Sequence, residues 1–348
     1  MKVITCASFY GSGSSAIIDF FSEFNDVKKM GNYEFRIFYD IDGISDLQFH
    51  LVECQNRHNS GHALKRFERL AKFYSGSSLV KRYEPFFDNK FYKTTHEYIE
   101  SLKNFEYEGW WFYDLYDRGR KYYFFKQLIN HFIKLFTKKN SNILKRTRTY
   151  CSNLEEGEFL EKTRNYSHNL LMNANKENFD YLAIDQLLPS QNTKRVMKYF
   201  KDDIYVFIVD RDPRDVYLCE MLKWHEGIVP HDPKMFCKWY RYSRNNYRRD
   251  IDGKKIFFVQ FEDLIYKYDE TVNYVGSIVG IDSKNHVSQF KFLNPKKSVV
   301  NTMLYAKTDK YKDAIKIIEE ELTEYLYDFS SVCCNEIVGI DIDNKEIF

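Results

Sequence analysis

Four short runs in this chain are apolar on both faces: Val3–Phe9, Tyr181–Ile184, Tyr205–Val209 and Ile256–Phe261. A strand with one wet face alternates apolar and polar residues, whereas a strand covered on both sides does not. The runs therefore call for a parallel sheet with helices on both faces. Helical patterns separate them, at Ser14–Phe24, Asn192–Phe200, Pro213–Trp224, Met235–Arg249 and Glu270–Val279. The alternation predicts an α/β fold, a three-layer sandwich around a mainly parallel central sheet. Phe35–Tyr39 is expected as a fifth strand and Tyr311–Phe329 as a last helix. Residues 60–175 break the rhythm and read as a helical insertion or lid, aromatic and charged, on a single domain spanning 1–348.

Composition excludes several classes. The formal net charge of +2 gives no global field for nucleic acid, so none is expected as a partner. Seven cysteines without a C-x-x-C pair argue against a disulfide framework or a zinc site and fit the reduced thiols of a cytoplasmic protein. The start lacks a long apolar run and a small-residue cleavage site, so a signal peptide is not expected. No apolar stretch approaches the roughly 20 residues of a membrane span. His58 and His62 are spaced i, i+4, and are expected to face solvent rather than to hold a metal.

Function concentrates at two strand ends. The first run leads into Tyr10-Gly11-Ser12-Gly13-Ser14-Ser15 and then a helix. Glycines admit close backbone approach, and the free N–H groups of a helix start favour an anion. Such a loop holds phosphate or is simply a turn. An ATP-type P-loop, G-x-x-x-x-G-K-S/T, requires Lys after the second glycine, where this chain has Ser14. The second site follows Tyr205–Val209 and reads Asp210-Arg211-Asp212-Pro213-Arg214-Asp215. Pro213 suits a first helical turn, and Arg211 and Arg214 stand beside the helix start. There they either fork onto an anion or pair locally with the aspartates. A third stretch, Phe261-Glu262-Asp263-Leu264, closes the last run.

Taken together and in this order, the three stretches resemble the bacterial P-loop-type sulfotransferases that depend on 3′-phosphoadenosine 5′-phosphosulfate (PAPS). That family's phosphosulfate loop reads K/R-S-G-T/S-T/S, which Ser12-Gly13-Ser14-Ser15 matches after its first position. Its 3′-phosphate motif reads R-N/D-P-R/K-D-x-x-x-S, which Arg211 to Asp215 matches. Its frequent Y-E-D-L resembles Phe261–Leu264, and its C-terminal basic segment resembles Asn294–Asn301. The likeness covers the sheet core and the nucleotide motifs, not 60–175. It implies that Gly11, Ser12, Gly13, Ser14, Ser15, Arg211, Cys219, Lys297 and Ser298 contact PAPS or its product PAP. It implies sulfuryl transfer to a hydroxyl acceptor without a metal. The acceptor is a glycan such as a capsular polysaccharide, or a sterol or other lipid alcohol. Two departures stand out. Gly11 replaces the basic residue that stabilises the leaving phosphate, and Cys219 replaces a serine, a stronger donor than a thiol. A P-loop kinase and a non-catalytic nucleotide-binding protein are the rival readings.

The missing cation is sought in Arg36, on the expected second strand, with Arg214 next. Arg36 equally suits a surface ion pair with Glu34 or Asp40. Asp185, at a strand's carboxyl end, is the favoured general base, with His225 second and His96 behind it. Asp185 equally suits a turn cap before Pro189. A last feature stands apart. Arg118–Arg148 contains ten Lys or Arg and no Asp or Glu, and its apolar residues from Phe125 to Phe136 recur on one helical face. That face either packs on the protein's own core or lies on an anionic membrane surface as an acceptor-side lid.

Overall fold

A computed structural model of the chain describes residues 1–31, 33–76, 81–111, 113–137, 147–245 and 247–332. The chain divides into two compact units, one of Met1–Arg36, Glu177–Met197 and Asp202–Phe348, the other of Ile37–Lys176 and Lys198–Lys201. The strands are β1 (Lys2–Ser8), β2 (Val27–Lys29), β3 (Phe105–Gly109), β4 (Thr147–Cys151), β5 (Tyr181–Asp185), β6 (Asp203–Asp210) and β7 (Ile256–Gln260). The helices, in chain order as far as the last strand's crossover, are α1 (Ser15–Phe21), α2 (Ile44–Gln48), α3 (Asn59–Ser75), α4 (Phe91–Leu102), α5 (Tyr113–Thr137), α6 (Glu156–Ala174), α7 (Thr193–Met197), α8 (Pro213–Cys219), α9 (Pro233–Ser243), α10 (Asp263–Tyr266) and α11 (Tyr268–Val279).

The first unit is the α/β sandwich that the apolar runs require. Five strands form one sheet in the order β2-β5-β1-β6-β7, with every neighbouring pair parallel. Ile4, Cys6, Phe207, Val209, Phe257 and Val259 pack against α1 and α11 on one face. Their strand neighbours Val3, Ala7, Leu182, Ile184, Val206 and Ile208 are fully buried on the other. Residues alternate in direction and both sets are dry, which explains the uninterrupted apolar runs. β1 is the switch point, flanked by β5 on one side and β6 on the other.

The second strand differs from expectation. Phe35–Tyr39 is not a strand; it is loop and turn. The edge position belongs to Val27–Lys29, which pairs with β5 through Val27–Tyr181, Lys28–Leu182 and Lys29–Ala183. Phe35 is buried without a ladder, and its N–H donates to the Asp185 carbonyl (3.0 Å). An edge strand needs only one buried side chain and is protected by lysines, so it leaves no apolar run to read. Helix ends also move. α8 continues as a wider turn over Glu220–Trp224 and stops at His225, whose φ is +52°. The last helix is Lys312–Glu321 and gives way to short turns.

The second unit is mainly helical, α2 to α6, with an antiparallel β3–β4 pair that no sequence pattern announced. Tyr98 stacks on Tyr166 (4.3 Å between centroids), joining α4 to α6, and both hydroxyls are satisfied by buried threonines. His58 and His62 do not face solvent. His58 packs on the Trp111 ring (4.6 Å), and His62 stacks on Tyr113 and meets Asp117 at 3.1 Å. Among the described residues no group of side chains is arranged to hold a metal.

At the start of α3, a Cβ on Gly61 would lie 1.8 Å from the Tyr150 carbonyl oxygen of β4. Alanine for glycine inside a helix ordinarily stabilises by about 1 kcal/mol. Here the overlap with backbone reverses the sign. Gly61→Ala is expected to lower stability by at least about 1 kcal/mol in urea unfolding; a variant as stable as wild type would refute the close approach of α3 to β4.

Candidate functional site

The carboxyl ends of β5, β1, β6 and β7 lie side by side, where ligands bind in sheets of this kind. From β1 the chain enters the loop Phe9–Ser14. Gly11 and Gly13 hold φ of +73° and +75°, a region that favours glycine. Aromatic rings bear on both. A Cβ on Gly11 would come within 2.9 Å of the Trp224 ring, and one on Gly13 within 2.6 Å of Phe261. The glycine that replaces the expected basic residue is therefore enforced by Trp224, as well as by its backbone. Ser12 is buried; its N–H donates to the Phe9 carbonyl (3.1 Å) and its Oγ accepts from Phe9 N–H (3.3 Å). Ser14 caps α1 without a side-chain bond to the helix, and Ser15 is exposed.

Arg211, at the end of β6, is 2% exposed. Its Nη1 donates to the Gly11 carbonyl (3.2 Å), and its Nη2 donates to Cys219 Sγ (3.2 Å) and to the Asn301 carbonyl. Its Nε has no hydrogen-bond partner, and it makes no ion pair among the described residues. The neighbouring acids are engaged elsewhere. Asp210 takes Arg244 (2.7 Å), and Asp212 takes Arg214 through two contacts (2.7 and 2.9 Å). Asp215 accepts from the N–H groups of Met303 (2.9 Å) and Leu304 (2.7 Å).

Two lysines complete a cationic cluster that the sequence did not reveal. Lys223 Nζ donates to Asn301 Oδ1 (3.2 Å), and Lys307 Nζ donates to the carbonyls of Val299 (2.9 Å) and Thr302 (2.6 Å). Burial lowers both ammonium pKa values, and the charge of Arg211 lowers them further. Like charges gathered in a half-dry place are what an anion site requires. The acids around them are weakened. Burial, followed by the charge of Asp212, pushes Asp215 up to about 6 and Glu262 up to about 8. Lys223 is four residues beyond Cys219, one helical turn along, which is the signal that could have found it.

The expected residues divide between this cluster and other places. Cys219 faces Arg211 as its position implies. The C-terminal segment does reach Arg211, but through Asn301; Lys297 is exposed and Ser298 half-buried, with no side-chain bond to the cluster. Arg214 is committed to Asp212 and Glu319, with its guanidinium over Tyr305 (3.9 Å). Arg36 lies in extended loop rather than on a strand and pairs with Glu34 (2.8 Å), both half exposed. His225 is exposed, and its ring makes no hydrogen bond among the described residues. Asp185 ends β5 opposite Cys6 of β1 and accepts from the Cys6 thiol (2.7 Å). Burial pushes its carboxyl up to about 6, with Glu34 and Asp19 adding to the rise.

Neither a protein-family model nor a curated protein matches the chain. Two solved structures similar to it are sulfotransferases. Sulfotransferase STF9 from Mycobacterium avium is 10% identical, with a TM-score of 0.35 over 93% of this chain and 76% of that one. Sulfotransferase STF1 from Mycobacterium tuberculosis is 9% identical, with a TM-score of 0.32 over 87% and 76%.

Glu262 gives the site a pH signature. Its folded pKa of about 8 exceeds its ordinary 4.5, so the folded state holds a proton that the unfolded chain releases. Stability from this group is complete below about pH 4.5 and is lost as pH rises toward 8. Glu262→Gln keeps an acceptor for Asp212 N–H (2.9 Å in the wild type) and removes the titration. Its stability relative to wild type is expected to rise between pH 5 and pH 8 in thermal unfolding; parallel profiles would show that Glu262 does not titrate there.

Proposed function

We propose that the first unit is a sulfotransferase that moves a sulfuryl group from PAPS to a hydroxyl acceptor. One observation carries the reading: a buried arginine that has no ion pair and no partner for its Nε among the described residues, beside a glycine-serine loop. A buried guanidinium left so is costly unless an anion completes it. The clustering of Arg211 with Lys223 and Lys307 gives the charge that a nucleotide phosphate needs. Arg211, the Ser12 hydroxyl, the N–H groups and hydroxyls of Ser14 and Ser15, and the segment around Asn301 would hold the nucleotide. Bound PAPS would supply the activated sulfuryl group, with PAP as product.

The chain's own residues then have distinct work. The loop and Arg211 orient the nucleotide, which is most of what transfer of this kind asks of a protein. Lys223 and Lys307 take the role of the cation that Gly11 lacks, in preference to Arg36, which is engaged with Glu34. Asp185 accepts the acceptor's proton; a carboxylate poised at about 6 is basic enough to do so and ionised at neutral pH. The acceptor is a glycan or lipid alcohol. The rival that a specific feature favours is a non-catalytic nucleotide-binding protein, because Trp224 fills the place of the loop's basic side chain.

Calorimetry with PAP and ADP separates these readings from a kinase: tight PAP with weak ADP is expected. Arg211→Ala should weaken PAP by on the order of 2–4 kcal/mol, since a charged partner is lost. Unchanged affinity would remove Arg211 from the phosphate. Asp185→Asn should lower turnover of labelled PAPS on a responsive acceptor at least tenfold while PAP affinity holds; near wild-type turnover would take Asp185 off the catalytic list. Transfer of label to no acceptor at all would leave the non-catalytic reading.

A further inference from the structure

α5 is an amphipathic helix placed the wrong way round for a soluble protein. Gly119, at φ +79°, breaks it near its start, so the regular helix runs from Arg120 to Thr137. At about 100° per residue, Phe124, Phe125, Leu128, Ile129, Phe132, Leu135 and Phe136 fall within an arc of about 140°. All seven are exposed, from 37% for Ile129 to 83% for Phe136. The covered side is the adjoining arc of Tyr122, Tyr123, Lys126, Asn130 and Ile133, with Asn130 only 8% exposed. An ordinary surface helix buries its apolar stripe and wets the rest. This one wets a stripe of four phenylalanines and three aliphatic residues, a patch of the kind that marks an interaction surface.

The charge around the stripe identifies the occupant. From Arg118 to Arg148 the sequence has ten basic residues and no acidic one, in a chain of net charge +2. Of these, Arg118, Arg120, Lys121, Lys126 and Lys134 lie on the described helix; Lys138, Lys139, Lys145 and Arg146 lie outside the described residues, and Arg148 pairs with Glu106 (3.5 Å). Arg120 borders the stripe and Lys121 sits within it near its start, with stems long enough to place their charges at headgroup level; Lys134 lies farther round on the exposed polar side. Trp110, exposed and 6.4 Å from Tyr123, adds an aromatic of the type that settles at a membrane interface. No described helix is long and apolar enough to cross a membrane. An apolar stripe bordered by cations matches a surface that is apolar within and anionic at its rim.

We infer that α5 docks the second unit onto an anionic lipid bilayer, lying in the interface plane with Phe125, Leu128, Phe132 and their neighbours inserted among the acyl chains. The inference does not depend on the reaction proposed for the first unit.

The full chain is sedimented with vesicles of phosphatidylcholine, with and without phosphatidylglycerol, at low and high salt. Binding to the phosphatidylglycerol vesicles is expected, weak on phosphatidylcholine alone and reduced by salt. Phe125→Asp with Phe132→Asp, and separately Lys121→Glu with Lys134→Glu, should each weaken it on the order of tenfold or more. All four positions are exposed except as membrane contacts, so both variants should keep the wild-type circular dichroism. Absence of binding to phosphatidylglycerol vesicles, equal binding to both compositions, or variants that bind like wild type would each overturn the inference. Light scattering runs in parallel: a wild-type dimer that the Phe variant dissociates, in a protein that ignores vesicles, would assign the stripe to a second copy of the chain instead.

Discussion

The site depends on a buried positive charge that makes no ion pair among the described residues. Arg211 could have been neutralised locally, since Asp210, Asp212, Asp215 and Glu262 all stand close in sequence or space. Each is drawn off. Asp210 is gripped by Arg244, Asp212 by Arg214, Asp215 by two backbone N–H groups, and Glu262 by the N–H of Asp212. What remains for Arg211 is a set of weaker acceptors, two carbonyls and a thiol. Those acceptors belong to the loop after β1, the helix after β6 and the C-terminal segment. The same contacts that solvate the guanidinium thus fix the three elements against one another, and its charge stays available to an anion. Net hydrogen bonds to carbonyls offset only part of the cost of burying a charge.

The fold was legible wherever burial wrote a period into the sequence. β1, β5, β6 and β7 are dry on both faces, and their apolar runs could be read directly. β2 could not, because an edge strand of Val27, Lys28 and Lys29 needs one buried side chain, while Phe35, Ile37 and Phe38 are buried for packing alone and imitate a strand. The β3–β4 pair was not read either; β3 alternates aromatic residues and glutamates over only five positions and is largely exposed, so no buried run marks it. In the site, the loop and Arg211 could be read because their chemistry depends on residues adjacent in sequence. Lys307 could not, since nothing local distinguishes a lysine that meets Arg211 across the fold from one in solvent, and Lys223 was marked only by its spacing of one helical turn from Cys219. Arg36 had the right charge, but the strand meant to carry it was absent.

α5 shows a limit of periodicity of another kind. Spacing reports that a helix has an apolar face; it does not report which way the face turns. Packing on a core and lying on a bilayer demand the same i, i+3, i+4 pattern, so the sequence leaves both open. The direction is set by what the rest of the helix can bury. Asn130 is buried and Tyr123 half-buried on the covered side, and the apolar arc is left outside.

Trp224 and Gly11 explain why the loop carries no basic side chain. A long basic side chain at position 11 would need space that the indole occupies and a backbone conformation that glycine alone adopts easily. Trp224 lies in the wide turn that extends α8, directly after Lys223. The turn that sets the indole against the loop therefore also sets an ammonium beside Asn301, within the field of Arg211. A loop without a cation and a helix turn that supplies one are two consequences of a single local geometry. Asn301 holds the Lys223 ammonium in that place. Its cost is desolvation, seen in the lowered pKa of Lys223, and an arriving phosphate would reverse it by restoring an opposite charge.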